Sequence, residues 1–183
     1  MAYSSGFHPH PRISYANAAP TSAASEAEYV ELGLKEVCDP AKLTAALNAV
    51  LPTGFVILDA ADALKEPLGD LLQASDWVLS VTGAPAGVLQ GAVDELNSRS
   101  EFVIERMTKN GLRSFDVRSA IISLTAPGDD TLELRSLHQT PLVRPDDVLA
   151  ALRRIDERVP ERALLTRVIQ GRFDGTEIAD PLR

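Results

Sequence analysis

Absences narrow this chain first. It has a single cysteine, Cys38, so it can form no internal disulfide and no cysteine triad for an iron-sulfur cluster. No apolar run approaches the roughly 18 residues of a membrane-spanning helix, so no membrane association is expected. The N-terminus shows neither a basic start nor an apolar stretch, so a cytoplasmic location is expected. Gly-x-Gly-x-x-Gly, a phosphate loop ending in Gly-Lys-Ser/Thr and Gly-x-Ser-x-Gly are all missing, which removes the commonest nucleotide sites and serine nucleophiles. Zinc wants three or four ligands, and the pool is His8, His10, His138 and Cys38 plus carboxylates, with no Cys-x-x-Cys. No metal and no cofactor are therefore expected. Aromatic residues make up only 5% of the chain, and core packing claims them before base stacking does.

What is present is enough for one ordinary domain or two small ones: 183 residues, 45% of them hydrophobic. The net charge is −8, and seven of those eight charges fall within residues 1–100, while residues 101–183 carry nearly all the arginine. An acidic chain does not bind phosphate backbones indiscriminately. A local arginine patch and arginines that merely solvate helix and strand faces both stay open.

Residues 1–25 show no sustained period and read as an extended arm with a short strand around Ile13–Ala16. "EYVELGL" (28–34) alternates as a half-buried strand, and "DPAKLTAALNAVLP" (39–52) switches to helical spacing, with Asp39 as N-cap and Pro40 at the first helical position. The apolar run "FVILDA" (55–60) then reads as a returning strand. A second β-α-β follows in "DWVLSVT", "APAGVLQGAVDELNS" and "FVIERM", at nearly the same spacing, which suggests duplication. Asn110-Gly111 signals a hairpin to "LRSFDVR". "AIISLTA" and "TLELRSLH" read as a strand pair, with a short helix over 119–124 as an alternative. A third β-α-β runs from "TLELRSLH" through "RPDDVLAALRRIDERV" to "ALLTRVIQGRF". The expected class is α+β, built of duplicated ferredoxin-like βαβ units with mixed or antiparallel sheets and helices on one face. The boundaries expected are an arm over 1–25, a first half over 26–75 that is N-terminally incomplete, a second unit over 76–175 and a loose tail over 176–183.

The stretch "GFHPHPRIS" (6–14) is the one suspicious element. Pro9 and Pro11 hold His8 and His10 extended, so the two imidazoles point to the same side beside Arg12, with Phe7 and Tyr15 near by. Imidazole and guanidinium both suit a phosphate or a base. The bland alternative is an architectural strap. Glu26 and Glu28 share one face of the following strand and offer the only paired carboxylates near the histidines. No residue can be assigned a catalytic role from sequence.

The run Tyr3-Ser4, Gly6-Phe7-His8-Pro9-His10-Pro11-Arg12-Ile13-Ser14, followed by Ser25-Glu26-Ala27-Glu28-Tyr29, resembles the opening signature of the bacterial radical SAM-associated domain of unknown function. That domain is fused to radical SAM proteins or, notably in actinobacteria, stands alone. "DVR" (116–118) and "VRPDDVLAAL" (143–152) also resemble its downstream pattern. Members of the family usually begin with a further strand and basic helix, which this chain is expected to lack; the open edge left behind would favour self-association. The resemblance implies a radical SAM protein as partner and a gene neighbourhood of ribonuclease E/G and ribosomal proteins, both of which hint at RNA. The leading expectation is thus an RNA-related accessory module, not an enzyme by itself, with Phe7, His8, His10, Arg12, Tyr15, Glu26 and Glu28 as ligand-binding residues. The alternatives are a hydrolase or RNA-modifying enzyme using the histidines with Glu26 and Glu28, and a purely structural protein-interaction domain.

Overall fold

A computed structural model describes residues 1–108 and 111–183. The N-terminal part follows its local signals as far as the first helix. Ile13–Ala16 (β1) is a strand, and after the two-residue strand Ala24–Ser25 (β2) the alternating run Tyr29–Leu32 (β3) pairs antiparallel with β1. Pro40–Asn48 (α1) starts where its cap predicts: the Asp39 carboxylate accepts from the Lys42 N–H at 3.0 Å, with Pro40 opening the first turn. A single turn of helix, Leu68–Leu71 (α2), leads into the main sheet.

That sheet and its helices come from the strictly patterned remainder of the chain. Ala74–Ser80 (β4) alternates Trp77 and Leu79 inward, and Val88–Ser98 (α3) buries the stripe Leu89, Ala92, Val93 and Leu96. Val103–Thr108 (β5) and Gly111–Asp116 (β6) pair with each other, then Ile121–Gly128 (β7) and Thr131–Leu137 (β8) form a second antiparallel pair. Pro145–Ile155 (α4) carries Asp146 and Asp147 in its first turn and Arg153 and Arg154 in its last, matching the helix dipole. Leu164–Phe173 (β9) and Ile178–Ala179 (β10) complete the chain. The strand order is β9-β4-β8-β7 with antiparallel neighbours throughout, and α3 and α4 pack on one another. This α+β arrangement is a split βαββαβ of ferredoxin-like topology, with the β5/β6 hairpin inserted before β7.

Several local readings are corrected by the structure. "FVILDA" is not a strand. Its backbone is satisfied locally, because the Asn48 side chain donates to the Ile57 carbonyl at 2.9 Å and accepts from the Ile57 N–H at 2.8 Å. Apolarity over a strand's length does not make a strand without a partner edge. "FVIERM" returns beside β6 and not beside β4. Asn110 of the expected hairpin turn lies outside the described residues. The 119–124 alternative resolves into a 3-10 turn, Arg118–Ala120, followed by β7. The C-terminal stretch read as a loose tail is tied to the sheet: β10 pairs with β9, and a Cβ on Gly171 would fall 1.9 Å from the Ala179 carbonyl oxygen. Only glycine lets the two approach so closely.

The core is one-sided along the chain. Apart from Ala27, every buried apolar residue lies at Leu68 or beyond, whereas α1 buries none. Leu152→Ala is therefore expected to cost about 2–5 kcal/mol in urea denaturation. Leu47→Ala, on half-buried α1, is expected to cost about 1 kcal/mol or less. Equal losses at the two positions would contradict this division.

Candidate functional site

The strap is a miniature hairpin with a fixed backbone and free heads. Ser4 N–H donates to the His10 carbonyl at 2.8 Å, Arg12 N–H to the Ala2 carbonyl at 2.9 Å, and His10 N–H to Ser4 Oγ at 3.0 Å. Its base is laced to the end of β3: Ala2 N–H donates to the Gly33 carbonyl at 2.7 Å, and Gly33 N–H to the Arg12 carbonyl at 2.8 Å. A Cβ on Gly33 would meet the Arg12 Cβ at 2.8 Å, so a glycine is needed at this seat. Phe7, His8, His10 and Arg12 are all exposed, Phe7 completely, and their side chains make no hydrogen bond or ion pair with the described residues. Tyr15 is exposed on β1.

A second constellation sits where the chain leaves β1 and crosses the helix-bearing face of the main sheet. That face is apolar under α3 and α4 but turns polar at one end, where Ser75, Ser136, Arg167 and Gln170 are buried. The segment from Asn17 to Glu28 covers this polar end. Arg167, 2% exposed, lies over the Trp77 ring at 4.7 Å and donates to the Asn17 carbonyl at 2.8 Å and to the Glu28 carboxylate at 3.2 Å. Glu28 also accepts from Ser25 Oγ and from the Ala19 N–H, and the Gln170 amide donates to the Ala27 carbonyl. His138 Nδ1 lies against the Leu72 carbonyl, which can only accept, so Nδ1 carries the proton and Nε2 accepts from Ser75 Oγ at 2.7 Å. Asn17 Nδ2 lies 3.2 and 3.3 Å from the two ring nitrogens. Between these groups and the start of α4 opens a cavity of about 330 Å³, lined among others by Asn17, Trp77, Ser136, His138, Arg144 and Arg167.

Burial governs the charges here. It pushes the His138 imidazole below its usual range, a shift reinforced by the nearby Arg167 guanidinium and opposed by the Leu72 carbonyl. Burial likewise lowers Arg167, against the pull of Glu28. The Arg167 Nε is buried with no hydrogen-bond partner among the described residues. At the helix end, burial raises Asp147 although the Arg144 N–H and the Arg106 guanidinium favour its charged form.

The structure therefore separates the seven sequence-chosen residues. Phe7, His8, His10, Arg12 and Tyr15 belong to the exposed strap and ribbon, while Glu28 is the counter-ion of a buried arginine and Glu26 stays exposed. Sequence reasoning passed over Asn17, Trp77 and Arg167 and weighed His138 only as a metal ligand. One signal for Arg167 existed: it falls two residues after Leu165, in the inward phase of a strand. Much of the arginine in residues 101–183 is spent internally, on Asp147 (Arg106), Asp76 (Arg135), the Ile121 carbonyl (Arg118) and the Val159 carbonyl (Arg153). Among the described residues no three His, Cys, Asp or Glu side chains gather as a metal site.

A family model described as "Uncharacterized protein conserved in bacteria (DUF2344)" matches residues 1–145. The chain belongs to that family. No curated protein and no solved structure matches it. The DUF2344 match spans the strap, the β1/β3 ribbon and the cavity residues from Asn17 to Arg144, and it ends before β9, which supplies Arg167 and Gln170.

Two outcomes follow from the buried cluster. Glu28→Ala, which strands Arg167 without its carboxylate, is expected to cost about 2 kcal/mol, moderated because Glu28 is about a third exposed. The double variant Arg167→Met, Glu28→Gln is expected to lose less than Glu28→Ala; additive losses in denaturant titrations would remove the pair from this role. His138 is neutral in both states above about pH 6.5, and below that only the unfolded chain takes up its proton. Stability is thus expected to fall as pH drops from about 6.5 toward the lower folded value. Thermal melts of His138→Gln should show a shallower decline, and an unchanged slope would exclude His138 as its source.

Proposed function

We propose that this DUF2344 chain is a non-catalytic module that binds single-stranded RNA and presents it to a separate modifying enzyme. The observation that carries the reading is the strap: its backbone is anchored by a ladder of hydrogen bonds, yet Phe7, His8, His10 and Arg12 project with no partner among the described residues. A merely architectural strap would spend those groups inward. A phenyl ring for stacking beside imidazoles and a guanidinium for phosphate is a composition suited to an unpaired nucleotide.

Reach supports a polymer over a small molecule. The four residues of β1 separate Arg12 from Asn17, about 16 Å along the ribbon, so a ligand touching both the strap and the cavity must be long. The cavity, lined by Trp77, Ser136, His138, Arg144 and Arg167, lies at the far end. The net charge of −8 argues for selective contact at these points and against general affinity for nucleic acid. The resemblance to radical SAM-associated domains makes a radical SAM protein the enzyme partner to test first.

Binding of short fluorescent single-stranded RNAs is expected to weaken about tenfold or more in the triple variant His8→Ala, His10→Ala, Arg12→Ala, and by a similar factor in Phe7→Ala. Neutralising about three phosphates predicts a log-log salt slope near −2. All four side chains are exposed, so folding should be untouched. Unaltered RNA binding in both variants would end this reading and leave the strap as architecture.

A further inference from the structure

Opposite in character to the strap, the N-terminal part of the chain also carries a wide apolar groove of about 1130 Å³. Its walls are α1, the β1/β3 ribbon and the segment after Gly54, and its lining includes Tyr15, Val37, Phe55, Val56, Leu58 and Leu64. Each of these six is at least half exposed, Val37 fully. Leu43 and Leu47 face it from α1, a helix that buries no residue anywhere else. Large apolar surface gathered in one concavity marks a docking site.

The rim says what docks. Every charged residue lining the groove except Arg183 is acidic. Glu28, Glu66 and the Asp59/Asp180 couple have arginine partners in Arg167, Arg172 and Arg183. Glu26, Glu31, Glu36 and Asp62 have no ion pair among the described residues. An apolar floor rimmed by carboxylates, four of them without an ion pair among the described residues, is complementary to an apolar stripe flanked by cations.

We propose that this groove docks a basic amphipathic helix of a partner protein. A helix satisfies its own backbone, so an apolar floor costs it nothing in hydrogen bonds, and leucines at i, i+3, i+4 and i+7 give a stripe to lay between α1 and the ribbon. A second copy of this chain is the poorer occupant, because it would set one acidic rim against another. Self-association of this protein would have to use another surface, such as the outer edges of β1 and β3, which among the described residues pair only with each other. Phe7, His8, His10 and Arg12 of the strap lie outside the groove lining, so this inference does not depend on RNA binding.

The test uses the full chain and a synthetic peptide of about 18 residues, about 27 Å long as a helix, with leucines at that spacing and lysine or arginine elsewhere. A scrambled peptide of the same composition is the control. Calorimetry is expected to show binding of the patterned peptide only. Glu31→Lys, Glu36→Lys, Asp62→Lys together should weaken it about tenfold, and Phe55→Ser with Leu58→Ser, both exposed in the free chain, by at least as much. Equal affinity for the scrambled peptide would reduce the groove to a featureless acidic surface and overturn the proposal. So would indifference to both sets of substitutions. Sedimentation completes it: a dimer that Phe55→Ser, Leu58→Ser dissociates would assign the groove to a second copy instead.

Discussion

Arg167 is the residue on which the two parts of this molecule meet. It stands on β9 in the phase that should point into the core, lies over Trp77, and reaches out to hold the Asn17 carbonyl and the Glu28 carboxylate. Taking a guanidinium out of water is expensive, and nothing apolar would need to pay that cost merely to close a sheet. What the arrangement achieves is attachment. Residues 1–67 contribute a single buried apolar side chain, Ala27, with Ala19 and Ala23 partly buried against the core, so hydrophobic burial holds them only weakly. They are held mainly by directional contacts at the polar end of the sheet: Arg167 to Asn17 and Glu28, Gln170 to Ala27, Asn17 to Gln170, and the short parallel pairing of β2 with β9.

This makes the protein a two-tier object. The βαββαβ unit is a conventional stable platform, with its leucines and valines buried between one sheet and two helices. The tier above it spends its apolar residues outward, in the groove beside α1, and its polar residues outward, on the strap. Directional hydrogen bonds fix position more sharply than they stabilise, since each contributes only about 1 kcal/mol net. A layer held mainly by such bonds opens at lower free energy than the core below it. That suits a part of the molecule whose contacts are offered to something else.

How much of this was legible in the sequence depended on whether a segment carried its own instructions. Asp39-Pro40 capped α1 in the right place, the Leu89, Ala92, Val93, Leu96 stripe produced α3, and Pro145 with two aspartates opened α4. The alternating runs became β3, β4 and β8 for the same reason: period 2 is a local property. "FVILDA" failed because a strand is a relation between two edges, and its apolar residues say nothing of whether an edge is near. The side chain that replaced the missing partner, Asn48, lies nine residues away on the end of a helix. The strap was visible because prolines stiffen it wherever it sits. The cluster around Arg167 was not, since it joins Asn17, Glu28, Trp77, His138 and Gln170 from five distant points of the chain, and only the register of β9 brings them together.

The β-bulge in that register is the last step. Pairing of β4 with β9 shifts between Asp76 and Trp77, so that Asp76 faces Ile169 while Trp77 faces Arg167. Strict alternation after Leu165 would turn Arg167 and Ile169 inward and leave Gln170 outside. With one extra residue in β9, Gln170 turns in, Ile169 is displaced toward the surface, and the inward row runs Leu165, Arg167, Gln170. A regular strand would have carried an apolar side chain to the end of the sheet and sealed it. The bulge sets the Gln170 amide beside the Arg167 guanidinium, which lies inward with or without it, and the two grip a polar backbone crossing above. One irregularity in one strand thus adds the amide that makes the far end of this sheet a socket for the N-terminal tier and not more core, and a cavity lined by Arg167 is the space left between them.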